Sequence, residues 1–235
     1  MTRREINHIT VRSEKITRPL TLAVVSDLHN APWADVLPAL EEVDAVLIPG
    51  DLVNRHRPGY DHAVDFLRRV PEVAPTFYAI GNHEWKFPQR DEYWPHVLKS
   101  RAVVLDNTYT LFGGVVLGAL SSAPKEQIRA DFLAEMERQP GYKLLMCHHP
   151  EMYEPWVKAR DIDLTLAGHA HGGQVRIFGQ GLFAPGQGIF PRLTSGFYDG
   201  QRLLVSRGMT NSAHAPRWGN PCEMILLHLK GMSDP

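Results

Sequence analysis

Gly168-His169-Ala170-His171-Gly172-Gly173-Gln174 is the stretch on which the fold of this 235-residue chain turns. It follows the apolar run 164–167, which has the length and character of a buried strand. Two histidines one residue apart leave a strand end in different directions. One imidazole can face one metal ion and the other its neighbour. The flanking glycines remove Cβ bulk, so the backbone can pass close to ions and substrate. A lone His-x-His pair is weak evidence. It gains weight because four other apolar runs end in residues of metal-binding type.

Upstream, residues 20–26 are apolar and β-branched and lead into Asp27-Leu28-His29. Residues 45–49 lead into Gly50-Asp51-Leu52-Val53-Asn54, and residues 76–80 into Gly81-Asn82-His83-Glu84. Residues 142–147 lead into His148-His149-Pro150. Helical spacing occupies 33–43, 61–70 and 91–100, and 125–139 reads as the clearest amphipathic helix. A loose alternation over 5–11 predicts an edge strand. Short strands over 102–105, 108–112 and 115–120 are broken by Asp106-Asn107 and Gly113-Gly114. Downstream of the opening stretch, 172–221 is rich in glycine and proline, with short apolar pieces such as 203–206. A closing strand follows at 223–229.

The early βα alternation argues for an α/β chain, and the later hairpins for a second, more antiparallel sheet. The expected fold is α/β (α+β), a four-layer αββα sandwich of two mixed sheets flanked by helices, as one domain over 1–235. Ligand sites of α/β sheets gather at the carboxyl ends of strands. Asp27, His29, Asp51, Asn82, His148, His169 and His171 are therefore expected on one rim, far apart in sequence but close in space.

Composition narrows the partners. A hydrophobic content of 43% and a charged content of 22% suit a globular protein with a real core. A net charge of −1 without a basic stripe gives no case for nucleic acid. Cys147 and Cys222 form neither a disulfide framework nor a zinc knuckle, which suits a reducing cytoplasm. The charged N-terminus lacks the apolar core of a signal peptide. No apolar run approaches the roughly 18 residues of a membrane span. The expectation is a cytoplasmic protein acting on a small molecule, with its oligomeric state open.

Imidazole, carboxylate and amide together favour manganese, iron, zinc or nickel over calcium, which prefers oxygen cages. With Asp27 and Asp51 ionised and the histidines neutral, two divalent ions would keep a positive excess that attracts phosphate. Two ions about 3.5–4 Å apart can clamp the attacking and leaving oxygens of an in-line displacement. A hydroxide held between them is a nucleophile near neutral pH.

The blocks Asp27-x-His29, Gly50-Asp51, Gly81-Asn82-His83-Glu84, His148 and Gly168-His169-x-His171, present in that order, resemble the calcineurin-like metallophosphoesterase superfamily. The resemblance implies one metal on Asp27, His29, Asp51 and His171. It implies a second on Asp51, Asn82, His148 and His169, with Asp51 bridging. It also implies that His83 is no ligand but a catalytic residue that stabilises the phosphate or protonates the leaving oxygen. The cofactor expected is a pair of divalent ions, manganese first, with iron, zinc, nickel or cobalt as alternatives. The later motifs 171–174, 183–188, 195–196, 206–208 and 217–221 are similar to a bacterial branch of small phosphodiesterases. Some of that branch act on UDP-2,3-diacylglucosamine.

The expected activity is that of a metal-dependent phosphodiesterase. The rivals are a phosphomonoesterase or cyclic-nucleotide phosphodiesterase and, from another class, a non-catalytic metal-binding scaffold. Asn54, Arg207, His214 and Arg217, with Arg55, are candidate substrate contacts, although Asn54 equally suits a turn cap and each arginine a solvated surface. Cys147 reads as a small core residue, His149 as a supporting residue beside His148, and Glu84 as orienting a neighbour. Trp85, Phe87, Tyr93 and Trp94 are either a pocket wall or rim packing.

Overall fold

The computed structural model describes residues 4–124, 127–211 and 216–234. In chain order the strands are β1 Glu5–Arg12, β2 Leu20–Val24, β3 Ala45–Ile48, β4 Thr76–Ala79, β5 Val103–Leu105, β6 Thr108–Phe112, β7 Val115–Leu120 and β8 Tyr142–Cys147. They continue as β9 Leu164–Ala167, β10 Arg176–Ile177, β11 Gln180–Gly181, β12 Phe183–Ala184, β13 Gly188–Ile189, β14 Gly196–Tyr198, β15 Leu203–Val205 and β16 Glu223–Lys230.

Two six-stranded sheets carry the fold. The first runs β1-β16-β2-β3-β4-β5, and the second β14-β15-β9-β8-β7-β6. The chain's last strand, β16, is inserted between β1 and β2, parallel to the former and antiparallel to the latter. β2 to β5 are parallel neighbours, as are β7, β8, β9 and β15. Each parallel block ends on an antiparallel pairing, so both sheets are mixed.

Three apolar clusters define the layers. Leu22, Val24, Leu47 and Phe77 of the first sheet meet Leu117, Leu144, Met146 and Leu166 of the second in the middle. Val46, Ile48 and Tyr78 point the other way, against Phe66, Leu67, Val70 and Tyr93. Val116, Leu145 and Val205 pack on Leu133, Met136 and Val157. Because both faces of the parallel strands are covered, β3, β4, β8 and β9 are buried along their whole length. The αββα sandwich of two mixed sheets is as expected.

The helix Asp61–Val73 follows from its spacing: Ala63, Phe66, Leu67 and Val70 form one buried stripe. The helix Arg90–Lys99 packs beside it through Tyr93 and Val97. Two other helical expectations shrink. Over 33–43 only a turn, Ala34–Val36, and a four-residue helix, Leu37–Leu40, form. Over 125–139 the α-helix among the described residues is Phe132–Met136. Its amphipathic pattern is satisfied in fewer turns, because Ala130, Leu133 and Met136 already cover the second sheet.

Candidate metal centre

Five strand ends converge, three from the first sheet and two from the second. β2 leads to Asp27 and His29, β3 to Asp51, β4 to Asn82 and His83, β8 to His148, and β9 to His169 and His171. All eight side chains are buried, His169 the most exposed of them at 9%. The donor atoms form overlapping groups: Asp27, His29 and His171; His29, Asp51 and His83; and Asp51, His148 and His169.

Asp27 Oδ1 lies 3.5 Å from His171 Nε2, 3.7 Å from His29 Nε2 and 3.9 Å from His148 Nε2. Asp51 Oδ2 lies 3.0 Å from His148 Nε2, 3.8 Å from His83 Nε2 and 3.9 Å from His29 Nε2. Of the seven candidate ligands, Asp27, His29, Asp51, His169 and His171 have positive φ, at 57°, 50°, 61°, 63° and 47°. Two glycines make the approach possible. A Cβ on Gly168 would overlap Ser26 Oγ and Asp27 Oδ2, and one on Gly81 would overlap Asp51 Oδ1.

A second layer holds these groups in place. Ser26 Oγ donates to Asp27 Oδ2 at 2.6 Å. His169 donates its backbone N–H to both Asp27 oxygens at 3.2 Å, tying the two sheets together. Glu84 accepts N–H bonds from Asp51 (2.9 Å), Leu52 (2.7 Å), Val53 (3.3 Å) and Gly81 (2.8 Å). One carboxylate thus fixes both the Asp51 turn and the start of the short helix that carries Asn82 and His83. Asp51 Oδ1 returns a bond to that helix by accepting the His83 N–H at 2.9 Å.

Electrostatics follow from crowding. Burial alone would raise the Asp27 carboxyl, but His171, His29 and His148 outweigh it and hold it well below the usual range. Burial is likewise outweighed at Asp51, by His148, His83 and His29. Burial would lower His148, yet Asp51 and Asp27 push it up to about 9. Burial pushes His83 down to about 3 and His171 down to about 4, in both cases against the pull of a nearby aspartate. Desolvation also lowers His149, to about 3, with His148 adding to the effect.

Two clefts open beside the donors. One, of about 250 Å³, is lined by His29, Asn54, Arg57, His62 and Asn211 among others. The other, of about 280 Å³, has Arg55, Asn82, Trp85, His149 and His169 in its wall. Larger hollows lie elsewhere on the surface, but neither is lined by the candidate ligands.

The remaining sequence candidates fall in different places. Asn54 lines the first cleft while its Oδ1 accepts the His56 N–H at 3.0 Å, a turn-capping bond. Arg55 lines the second cleft. Arg207 is paired with Glu223 at 2.7 Å and Glu5 at 2.9 Å. Arg217 donates to His171 Nδ1 at 3.0 Å and to the carbonyls of Arg207 and Thr210. His214 lies outside the described residues. Phe87 and Tyr93 are core residues and Trp94 packs against them, whereas Trp85 reaches a cleft wall. Cys147 is buried, and burial pushes its thiol up to about 12.

Ser26, Ser122, Glu151 and Asn220 escaped sequence reasoning. Ser122 Oγ lies 2.8 Å from His149 Nδ1, and Glu151 Oε1 lies 3.7 Å from His169 Nε2. Asn220 Nδ2 donates to the His171 and Gln174 carbonyls at 2.7 and 3.0 Å. Adjacency to a ligand could have marked Ser26. Asn220 lies in the motif 217–221, but nothing local gives its role, since it arrives from 49 residues away.

A family model for calcineurin-like phosphoesterases matches residues 20–173, the span that holds every candidate ligand. The chain belongs to the calcineurin-like phosphoesterase family. Membership makes it a phosphoester hydrolase of a family that binds divalent metals, and the Asp/His clusters are suited to such ions. Among curated relatives, the uncharacterized protein YpbG of Bacillus subtilis is 24% identical over 96% of this chain and 88% of its own. The uncharacterized metallophosphoesterase Cj0846 of Campylobacter jejuni is 27% identical over 97% of this chain and 63% of its own. The phosphodiesterase YaeI of Escherichia coli is 26% identical over 68% of this chain and 63% of its own. The chain thus spans less than two thirds of the length of Cj0846 and YaeI. Among solved structures, TT1561 of Thermus thermophilus aligns with 64% of this chain and 82% of its own, at 17% identity and a TM-score of 0.44. No helix among the described residues is long and apolar enough to cross a membrane.

Proposed function

We propose that this family member is a phosphodiesterase that works with two divalent cations on a small phosphate diester or pyrophosphate. The observation that carries the reading is the left-handed backbone at five of the seven candidate ligands. For residues other than glycine that conformation costs about 1–3 kcal/mol each, persists only where the surrounding structure over-determines it, and clusters at functional sites. Here it turns carboxylates and imidazoles toward one another.

The donor set fits two cations. Nitrogen and oxygen donors held about 2.0–2.2 Å from one ion lie roughly 3.0–3.5 Å apart. The separations of 3.5 Å for Asp27 with His171 and 3.0 Å for Asp51 with His148 match that, those of His29 from Asp27 and Asp51 exceed it at 3.7 and 3.9 Å, and ligation by His171 Nε2 requires Arg217 to leave Nδ1. Buried Asn82 Oδ1 makes no hydrogen bond, as suits an atom kept for a ligand. Asp27, His29, Asp51 and His171 would hold one ion, and Asp51, Asn82, His148 and His169 the other. Manganese stands first, with iron, zinc, nickel and cobalt as alternatives. When bound, such ions supply Lewis acidity, acidify water and offset phosphate charge.

The chain's own groups supply orientation and a proton. His29 Nδ1 lies 3.2 Å from the Val53 carbonyl, so it donates there and leaves its Nε2 lone pair toward the centre. His83 Nδ1 accepts the Arg55 N–H at 3.0 Å, so the neutral ring carries its proton on Nε2. That N–H is the donor for a phosphoryl or leaving oxygen. Arg55 adds a cation at the second cleft.

A diester presents two arms, and the two clefts can take one each; a monoester needs only one. The name of the relative YaeI, a phosphodiesterase, supports the same choice. The tail motifs resemble a branch that includes UDP-2,3-diacylglucosamine hydrolases, which makes a nucleotide-diphosphate lipid the first pyrophosphate to assay. The test is turnover of bis- and mono-p-nitrophenyl phosphate by metal-stripped and Mn²⁺-restored protein. Stripped protein should be inactive, and restored protein should prefer the diester. A preference for the monoester would make it a phosphomonoesterase. No turnover with manganese, iron, cobalt, nickel or zinc would leave a metal-binding scaffold.

A further inference from the structure

The segment 172–221 exposes large apolar side chains for which the metal centre has no use. Ile177 is 42% exposed, Phe183 52%, Trp218 65%, Phe190 67% and Ile189 75%, and Phe178 stands fully in solvent. Main-chain bonds, and one from the Gln180 side-chain amide, join the pieces that carry them. Phe183 and Ile189 are cross-strand partners in the hairpin β12–β13. Phe190 donates its N–H to the Leu182 carbonyl at 2.9 Å, and Gln180 of the hairpin β10–β11 reaches the Pro191 carbonyl at 3.0 Å. Arg176, next to Ile177, donates its N–H to the Trp218 carbonyl at 2.9 Å.

Charge is sorted in the same way. Residues 172–221 contain five arginines, no lysine, one aspartate and no glutamate, a net charge of +4. With the whole chain at −1, the rest carries −5. Two arginines accompany the apolar tips, as Arg176-Ile177-Phe178 and Phe190-Pro191-Arg192, while Arg202 and Arg207 are paired with acidic groups and Arg217 is held at His171.

We propose that this face docks the protein on an anionic phospholipid bilayer. Phe178, Ile189, Phe190 and Trp218 enter the headgroup boundary, and Arg176 and Arg192 face the lipid phosphates. Aromatic side chains favour that boundary, and basic groups are drawn to an anionic leaflet. A second copy of the chain is the weaker occupant, because two such faces would set Arg176 and Arg192 against the same pair. Tips on several short hairpins also suit a fluid surface that moulds around them. Docking would bring the metal centre close to the bilayer, since Asn220 and Arg176 bond the His171 and Gly172 carbonyls.

The test is cosedimentation of the full chain with vesicles of phosphatidylcholine alone and of phosphatidylcholine mixed with phosphatidylglycerol. Binding to the mixed vesicles should be about tenfold stronger and should weaken as salt rises. Phe178→Ser with Phe190→Ser should cut that binding about tenfold, and Arg192→Glu should reduce the preference for the mixture. Tm and Mn²⁺ binding should stay at wild-type values in these exposed-site variants. Absent binding to mixed vesicles, or equal binding by wild type and the double variant, overturns the proposal. A dimer by light scattering that the double variant returns to monomer also overturns it, in favour of self-association. No turnover is measured, so failure here leaves the phosphodiesterase reading untouched.

Discussion

Between Asp27 and His171 every candidate ligand stands on a turn or helix start leaving the carboxyl end of a parallel strand. Among the described residues from 172 to 221 no strand exceeds three residues, and five large apolar side chains are more than half exposed. The rim is held from both sheets: Glu84 gathers four N–H groups, and Asp27 accepts the N–H of His169 across the sandwich. The tail is held by its own turns and by ties to the rest of the chain: β15 pairs with β9, Arg202 bonds the Lys158, Arg160 and Ile162 carbonyls, Arg207 pairs with Glu223, and Asn220 bonds the His171 carbonyl. The difference follows from what each must resist. Crowded carboxylates and imidazoles, several on strained backbone, spring apart unless buried bonds fix them. A surface of hairpins carries no such load and can keep apolar side chains in solvent.

The sharpest way to break this contrast is Asp51→Asn. It removes the carboxylate at the meeting point of the groups, so turnover should vanish and metal analysis should show at least one ion lost per chain. Wild-type rate with full metal content would mean that the rim is not the centre.

His83→Ala comes next. It should lower kcat by about 10²–10⁴-fold with metal content unchanged. Loss of metal instead would move His83 into the coordination sphere, where its 3.8 Å approach to Asp51 would then belong.

Glu84→Gln tests whether the bond-gathering carboxylate matters as supposed. Metal affinity should fall by about 10–100-fold, read by competition with a chelator. Unchanged affinity would show that the turn at Asp51 holds itself.

The smallest effect is one of pH on the metal-free protein. His148, raised to about 9, contributes stability that is full below 6.5 and is lost as pH rises through about 9. His171 and His83, lowered to about 4 and about 3, contribute stability that is full above 6.5 and is lost as pH falls toward those values. Tm of the stripped protein should therefore peak near neutral pH. At pH 7, Mn²⁺ should displace about one proton per chain from His148, measurable in unbuffered solution. A flat Tm profile would show that the imidazoles are solvated.

Much of the rim was legible because strands buried on both faces are short continuous apolar runs, and the residue after each run is where function sits. β3, β4, β8 and β9 end within one residue of the boundaries expected from such runs. The helices over 33–43 and 125–139 were less legible. Periodicity reports which face is apolar, but not how many turns the sheet beneath has room for.

The sequence by itself determined the alternation of strands and helices, the two-sheet layering, and the donor types that end five strands. Those properties are local, set by burial along a run and by the residue that follows it. Only the tertiary structure decided that β16 slots between β1 and β2, that Arg207 is spent on Glu223 and Glu5, and that Asn220 supports His171. Each joins residues far apart in the chain, and no local pattern encodes which buried polar group a distant side chain will reach.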